Sequence, residues 1–303
     1  MTVENYEPQA LGALHDALEN LLRRTPLTER LADDPLQFPH GYASRRDREI
    51  VGWLAAGLAY GRRDYFQPVL RSIFQRMGNR PWLFIKKMRL PSETTYFDDL
   101  LYRFNNGRDL AAVMAVLQEI YTGWPSLESY FRHFMPEPEA DTVLPALQGA
   151  LADMRRRLTL ILGKYPDLDR HVRNPFFLLP DAGGPGPCKR PLMFLRWMVR
   201  RESPDLGLWT SFSPARLVVP LDTHLFRVSR RLGLTDRRRP DRQASLEITA
   251  FFRRLCPADP VRYDFPLMLF GAETCTVEPS CARITAKGAC PLGPFCRRSP
   301  DTG

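Results

Sequence analysis

Val218-Val219-Pro220-Leu221-Asp222-Thr223-His224-Leu225-Phe226-Arg227-Val228-Ser229-Arg230-Arg231-Leu232-Gly233-Leu234 is the stretch on which the reading of this chain turns. An apolar approach delivers Asp222 to a segment in which Leu225, Val228 and Leu232 recur at helical spacing. An aspartate at a helix start accepts backbone N–H bonds and faces the positive end of the helix dipole. Read from the residues alone, Asp222 is a helix cap. The cap does not exclude chemistry, because one carboxylate can do both.

Helical spacing runs outward from this stretch through almost the whole chain. Leu11, Leu14, Leu18, Leu21 and Leu22 form one stripe near the start. Ser44 followed by Asp47 reads as a capping box ahead of an apolar face of Ile50, Trp53, Leu54 and Leu58. Asp64 opens a further helix that stops at Gly78. The pattern predicts more helices over 80–88, 95–104, 109–122, 126–134, 142–163, 189–202, 222–234, 244–255 and 260–270. Prolines and glycines break the chain between Pro166 and Pro187. Strand signals are nearly absent, so the fold class is all-α.

With 303 residues the chain suffices for one large domain or two lobes, each with its own core. Apolar runs such as Leu158 to Leu162 are too short to span a bilayer, and Met1 to Asn20 lacks the basic head and apolar run of a secretory signal. These features predict a cytoplasmic protein with no membrane partner. In that reducing compartment the six cysteines read as metal or cluster ligands, or as core residues, rather than as disulfides. Lys and Arg number 43 against 34 Asp and Glu, a net charge of +9. Such an excess marks either a polyanionic partner or a genome rich in arginine codons. Clustering favours the partner: Arg227, Arg230, Arg231, Arg237, Arg238, Arg239 and Arg242 crowd one segment, and Arg283, Lys287, Arg297 and Arg298 another.

Four of the cysteines, Cys275, Cys281, Cys290 and Cys296, fall within 22 residues as C-x5-C-x8-C-x5-C. Four thiolates suit either a [4Fe–4S] cluster or tetrahedral zinc, although the C-x2-4-C knuckles usual for zinc are missing. Cys188 and Cys256 stand apart from this set.

The Asp222 stretch resembles the Val-Asp-Thr-His…Arg-Val…Arg-Leu-Gly signature of the helix-hairpin-helix DNA glycosylase superfamily, the endonuclease III type of enzyme. Asp222, Thr223, His224, Arg227, Val228, Arg231, Leu232 and Gly233 match it in order. The tail resembles that family's four-cysteine loop in position, in Pro279-Ser280-Cys281 and in the final C-x5-C, and departs from it in the eight-residue middle gap. Arg48 to Arg62 is similar to an early family helix that ends near the base pocket, with Tyr60 and Gly61 where the family often has Gln-Thr. From about residue 30 onward the chain resembles a bacterial family of glycosylase relatives, as in Lys189-Arg190-Pro191-Leu192-Met193-Phe194.

The resemblance implies a two-lobed fold, with one helical lobe over 41–187 and a second formed by 1–40 and 188–303. It implies a monomer acting on duplex DNA with a flipped base, with Asp222 stabilising the cationic sugar as the base leaves. It implies a cluster on Cys275, Cys281, Cys290 and Cys296, and base or phosphate contacts from Tyr60, Arg227, Arg230, Arg231, Arg237, Arg238 and Arg239. The usual Gly-rich hairpin carrying a Schiff-base lysine is missing. Gly183-Gly184-Pro185-Gly186-Pro187-Cys188-Lys189 stands in the right order instead, and Lys189 is either that nucleophile or a solvated loop lysine. The alternatives are a non-catalytic nucleic-acid-binding protein on the same fold, and an RNA- or nucleotide-directed N-glycosidic hydrolase.

Overall fold

The computed structural model describes residues 6–275 and 290–297, and among these the chain is mostly helical, with almost no strand. In chain order the elements are α1 (Pro8–Arg24), α2 (Gln37–His40), α3 (Arg45–Leu58), α4 (Arg63–Met77), α5 (Pro81–Lys87), β1 (Leu101–Tyr102) and β2 (Asn105–Asn106). They continue with α6 (Gly107–Gly123), α7 (Leu127–His133), α8 (Leu144–Lys164), α9 (Pro166–His171), α10 (Pro175–Leu178) and α11 (Lys189–Val199). The last three are α12 (Thr223–Arg231), α13 (Arg242–Leu255) and α14 (Asp264–Glu273). No described helix is long and apolar enough to cross a membrane.

The chain divides into two units. One comprises 1–30, 185–196 and 213–303; the other comprises 31–184 and 197–212. The larger unit is organised around α6, whose residues from Leu110 to Leu117 are all buried. A helix apolar on every side belongs inside a helical shell, and here α5, α8 and α10 pack against it. Its start is a capping box: Asn106 accepts the Asp109 N–H, and the Asp109 carboxylate accepts the Asn106 N–H. In the smaller unit α12 packs on α14, and α14 on α1. Leu14, Leu18, Leu225, Val228, Phe251, Phe252 and Leu267 fill its core. Glu19 ties α1 down by accepting from Arg262 at 2.9 Å and from the Tyr263 hydroxyl at 2.6 Å.

Two sequence expectations need correction. Ser44 does precede α3, yet its side chain makes no cap bond, and Asp47 instead accepts the Trp82 N–H at the start of α5. The stretch 95–104 is not an α-helix. A 3-10 turn over Ser92–Phe97 runs into the hairpin, in which Leu101 pairs with Asn106 and Tyr102 with Asn105.

Candidate active site at the start of α12

Asp222 is the N-cap of α12, with φ of −108° and ψ of 178°, and its Oδ1 accepts the Leu225 N–H at 2.7 Å. The helix stops in a Schellman motif. The Leu234 N–H donates to Ser229 O at 2.9 Å, the Gly233 N–H donates to Arg230 O at 3.0 Å, and Gly233 takes the left-handed φ of 71°. Leu234 is buried behind it. The Arg-Leu-Gly-Leu wording of the stretch is thus the physics of a helix end. Gly271 lies inside α14 rather than at its end: a Cβ there would meet His224 O at 2.8 Å and Val228 Cγ2 at 3.0 Å. It lets α14 lie directly on the backbone of the turn that carries Asp222.

Lys189 is the first residue of α11, and its Nζ lies 3.8 Å from Asp222 Oδ2. The chain thereby brings together two residues that are far apart in sequence. The lysine side chain is 38% exposed and the aspartate 12%, so the pair is open on one side. The carboxylate divides its work, with Oδ1 on the helix and Oδ2 facing the ammonium. The residue that sequence reasoning passed over is Cys188, whose O accepts the Leu192 N–H to begin α11 and whose φ is 50°. Left-handed backbone at a residue with a side chain costs about 1 kcal/mol or more and gathers at functional sites. No glycine marks the position, so the sequence carries no signal of it.

The basic residues separate into two kinds. Arg227 donates to Cys275 O at 2.9 Å and to Gly271 O, which ties α12 to α14. Arg231 donates to Cys275 Sγ at 3.1 Å. Arg237 pairs with Asp241 at 2.6 Å and lies 4.0 Å from Glu247. Arg230 is half-buried, whereas Arg238 and Arg239 are exposed. Tyr60, in the other unit, is half-buried: its hydroxyl reaches Tyr102 O at 3.0 Å and Asn105 Oδ1 at 2.8 Å. Its ring lies against Tyr102, Phe104 and Phe177.

Of the four clustered cysteines, Cys281 lies outside the described residues. Cys275 is buried, and Cys290 and Cys296 flank a 3-10 turn over Gly293–Phe295. The Arg297 N–H donates to Arg231 O at 2.6 Å, so Arg231 holds Cys275 through its side chain and the residue after Cys296 through its backbone. Burial pushes the Tyr6 phenol up, and its hydroxyl donates to Leu232 O at 2.7 Å. An N–H donated to a buried sulfur suits a thiolate ligand. Among the described residues no three metal-ligating side chains form a group.

The chain matches the family described as protein of unknown function (DUF2400) over residues 34–273, well over half its length, and belongs to that family. The matched stretch contains Lys189 and Asp222 and ends just before Cys275. No curated protein and no solved structure matches the chain.

Proposed function

We propose that this member of the family is a base-excision protein, a DNA glycosylase that removes a damaged or mispaired base from a nucleotide drawn out of the duplex. One observation carries the reading: Lys189 Nζ sits 3.8 Å from Asp222 Oδ2 while Oδ1 of the same carboxylate is held by the Leu225 N–H. Lys189, as the free amine, attacks the sugar C1′, and the glycosidic bond breaks with its electron pair leaving on the base. Asp222 takes up the lysine proton and stabilises the positive charge gathering on the sugar. Its fixed Oδ1 means that the carboxylate is oriented before the charge develops. The C1′–O4′ bond of the adduct then opens, O4′ taking the proton held by Asp222 to become the C4′ hydroxyl, and the lysine nitrogen is left in an imine to C1′.

Arg238 and Arg239, both exposed, serve as phosphate contacts in this reading. Cys275, Cys281, Cys290 and Cys296 hold a [4Fe–4S] cluster, with zinc the alternative on the same thiolates. Bound there, the group contributes folding free energy to the C-terminal segment rather than a chemical step.

The test is a panel of single-lesion oligonucleotides incubated with purified protein, with and without borohydride. Base release, together with a borohydride-trapped protein–DNA adduct that Lys189→Gln does not form, is the expected result. Absence of base release from every lesion, in single- and double-stranded substrates, overturns the glycosylase reading.

A further inference from the structure

The β1–β2 hairpin carries an arrangement that the chemistry at Asp222 does not use. Its base is fixed. Asn105, buried, donates through Nδ2 to the Asp109 carboxylate at 2.9 Å and to Asn174 O at 2.7 Å. Asp109 in turn accepts the backbone N–H groups of Asn106, Arg173 and Asn174. Its tip is built in the opposite way. Arg103 and Phe104 are both exposed, Phe104 to 47%. Arg103 holds a φ of 49°, a left-handed conformation that glycine or asparagine adopts with less strain.

Phe104 is not loose for being exposed. Tyr60 backs it with ring planes 15° apart and centroids at 6.0 Å, and Phe177 meets it edge-on at 5.2 Å. The Arg103 guanidinium lies over the Phe104 ring, 5.5 Å from its centroid. Two further apolar side chains are exposed on the neighbouring elements: Leu101 on β1, 67% exposed, and Tyr65, 60% exposed, on α4, which packs against β1. The Arg62 guanidinium covers the Tyr65 ring at 5.5 Å. Arg62 and Arg63 have carboxylate partners in Asp64 and Asp33. Among the described residues, the side chains of Arg103 and Arg173 have none.

A flat ring, braced from behind and covered by a guanidinium without a carboxylate partner, suits a ligand with an aromatic face and a negatively charged backbone. A nucleic acid strand has both, and base–aromatic stacking requires no particular base. A rigid hairpin adds the advantage that little ordering entropy is lost on binding. An apolar protein partner would use the ring but leave the unpaired guanidinium unanswered. We infer that Phe104 and the Arg103 guanidinium over it form a stacking platform for an unpaired base of a nucleic acid strand, with the Arg103 charge turned to its phosphates. The inference rests on the nucleic-acid reading above but is independent of the chemistry at Asp222.

The experiment measures binding of the full chain to two single-stranded oligonucleotides of equal length. One carries 2-aminopurine among ordinary bases, and the other is abasic throughout. Wild-type protein is expected to quench the 2-aminopurine fluorescence. Phe104→Ala should lose the quench and bind the base-bearing strand roughly tenfold or more weakly, with no change on the abasic strand. Phe104→Trp should restore both. Because Phe104 is exposed, its variants should keep the wild-type circular dichroism, which is checked in parallel. If Phe104→Ala binds and quenches like wild type, the platform fails while base release at Asp222 can still stand. If the substitution changes only the protein's sedimentation, the ring covers a second copy of the chain and the platform again fails. No binding of the wild type to either strand sinks the nucleic-acid reading as well.

Discussion

Asp222 has two oxygens in two different roles, which makes its functions separable by substitution. Asparagine keeps an acceptor for the Leu225 N–H and is a good N-cap, so Asp222→Asn should leave the melting midpoint within a few degrees of wild type. It removes the charge that faces Lys189. In the glycosylase reading base release is then lost by a factor of roughly a hundred or more, with DNA affinity nearly intact. Unchanged base release would reduce Asp222 to a cap. At this scale the sequence was informative where residue type carries the signal. Asp222 was visible as a helix start because few residues cap well. Lys189 was visible only as one of two equal readings, since proximity in space leaves no trace in spacing. Cys188 was invisible, because a left-handed φ at cysteine has no sequence signature.

Among the elements, helix faces were legible and short or backbone-driven features were not. The hairpin at Leu101–Asn106 has strands of two residues each, too short for any period to register, and the apolar residues around it imitate a helix. The pair Ser44 and Asp47 has capping-box spacing, but Trp82 offers a competing N–H to Asp47. The box that does form, at Asn106 and Asp109, lies at the mouth of that unread hairpin. Glycines show the same limit, since their meaning depends on what lies opposite. Gly271→Val would push Cβ into the His224 carbonyl, which is backbone and cannot rotate aside. It should destabilise the fold by roughly 1–3 kcal/mol in denaturant titrations. Gly57, inside α3, faces open space. Gly57→Ala should therefore stabilise by about 0.5–1 kcal/mol. If the two substitutions behave alike, the close approach of α12 and α14 at Gly271 is wrong.

For the whole molecule, charge is the property that composition reports most readily and describes least well. Part of it is used to hold the chain. Hydrogen bonds from Arg262 hold the Glu19 carboxyl down at about 2, against an ordinary 4.5. That carboxylate stabilises the fold fully above its unfolded value, and the contribution, on the order of 3 kcal/mol, is lost as pH falls from about 5 towards 2. Glu19→Gln should flatten the acid limb of a stability-versus-pH curve in that window, and an unchanged limb would show that α1 is held by packing alone. The same division applies to the arginine cluster. Seven arginines from Arg227 to Arg242 look equivalent in sequence, yet Arg227 and Arg231 are turned inward to Cys275 and Gly271, and Arg237 is paired with Asp241. Arg238 and Arg239 are exposed and carry no ion pair among the described residues, so they remain available to phosphate. Removing one arginine from a phosphate lowers the slope of log affinity against log salt by about one. Arg238→Gln with Arg239→Gln should therefore reduce that slope for duplex DNA by about two, while Arg237→Gln changes it little. Because none of the three lies in the core, the comparison needs no correction for unfolding. Equal slopes for the double variant and wild type would strike the α12–α13 connection from the proposed phosphate contacts.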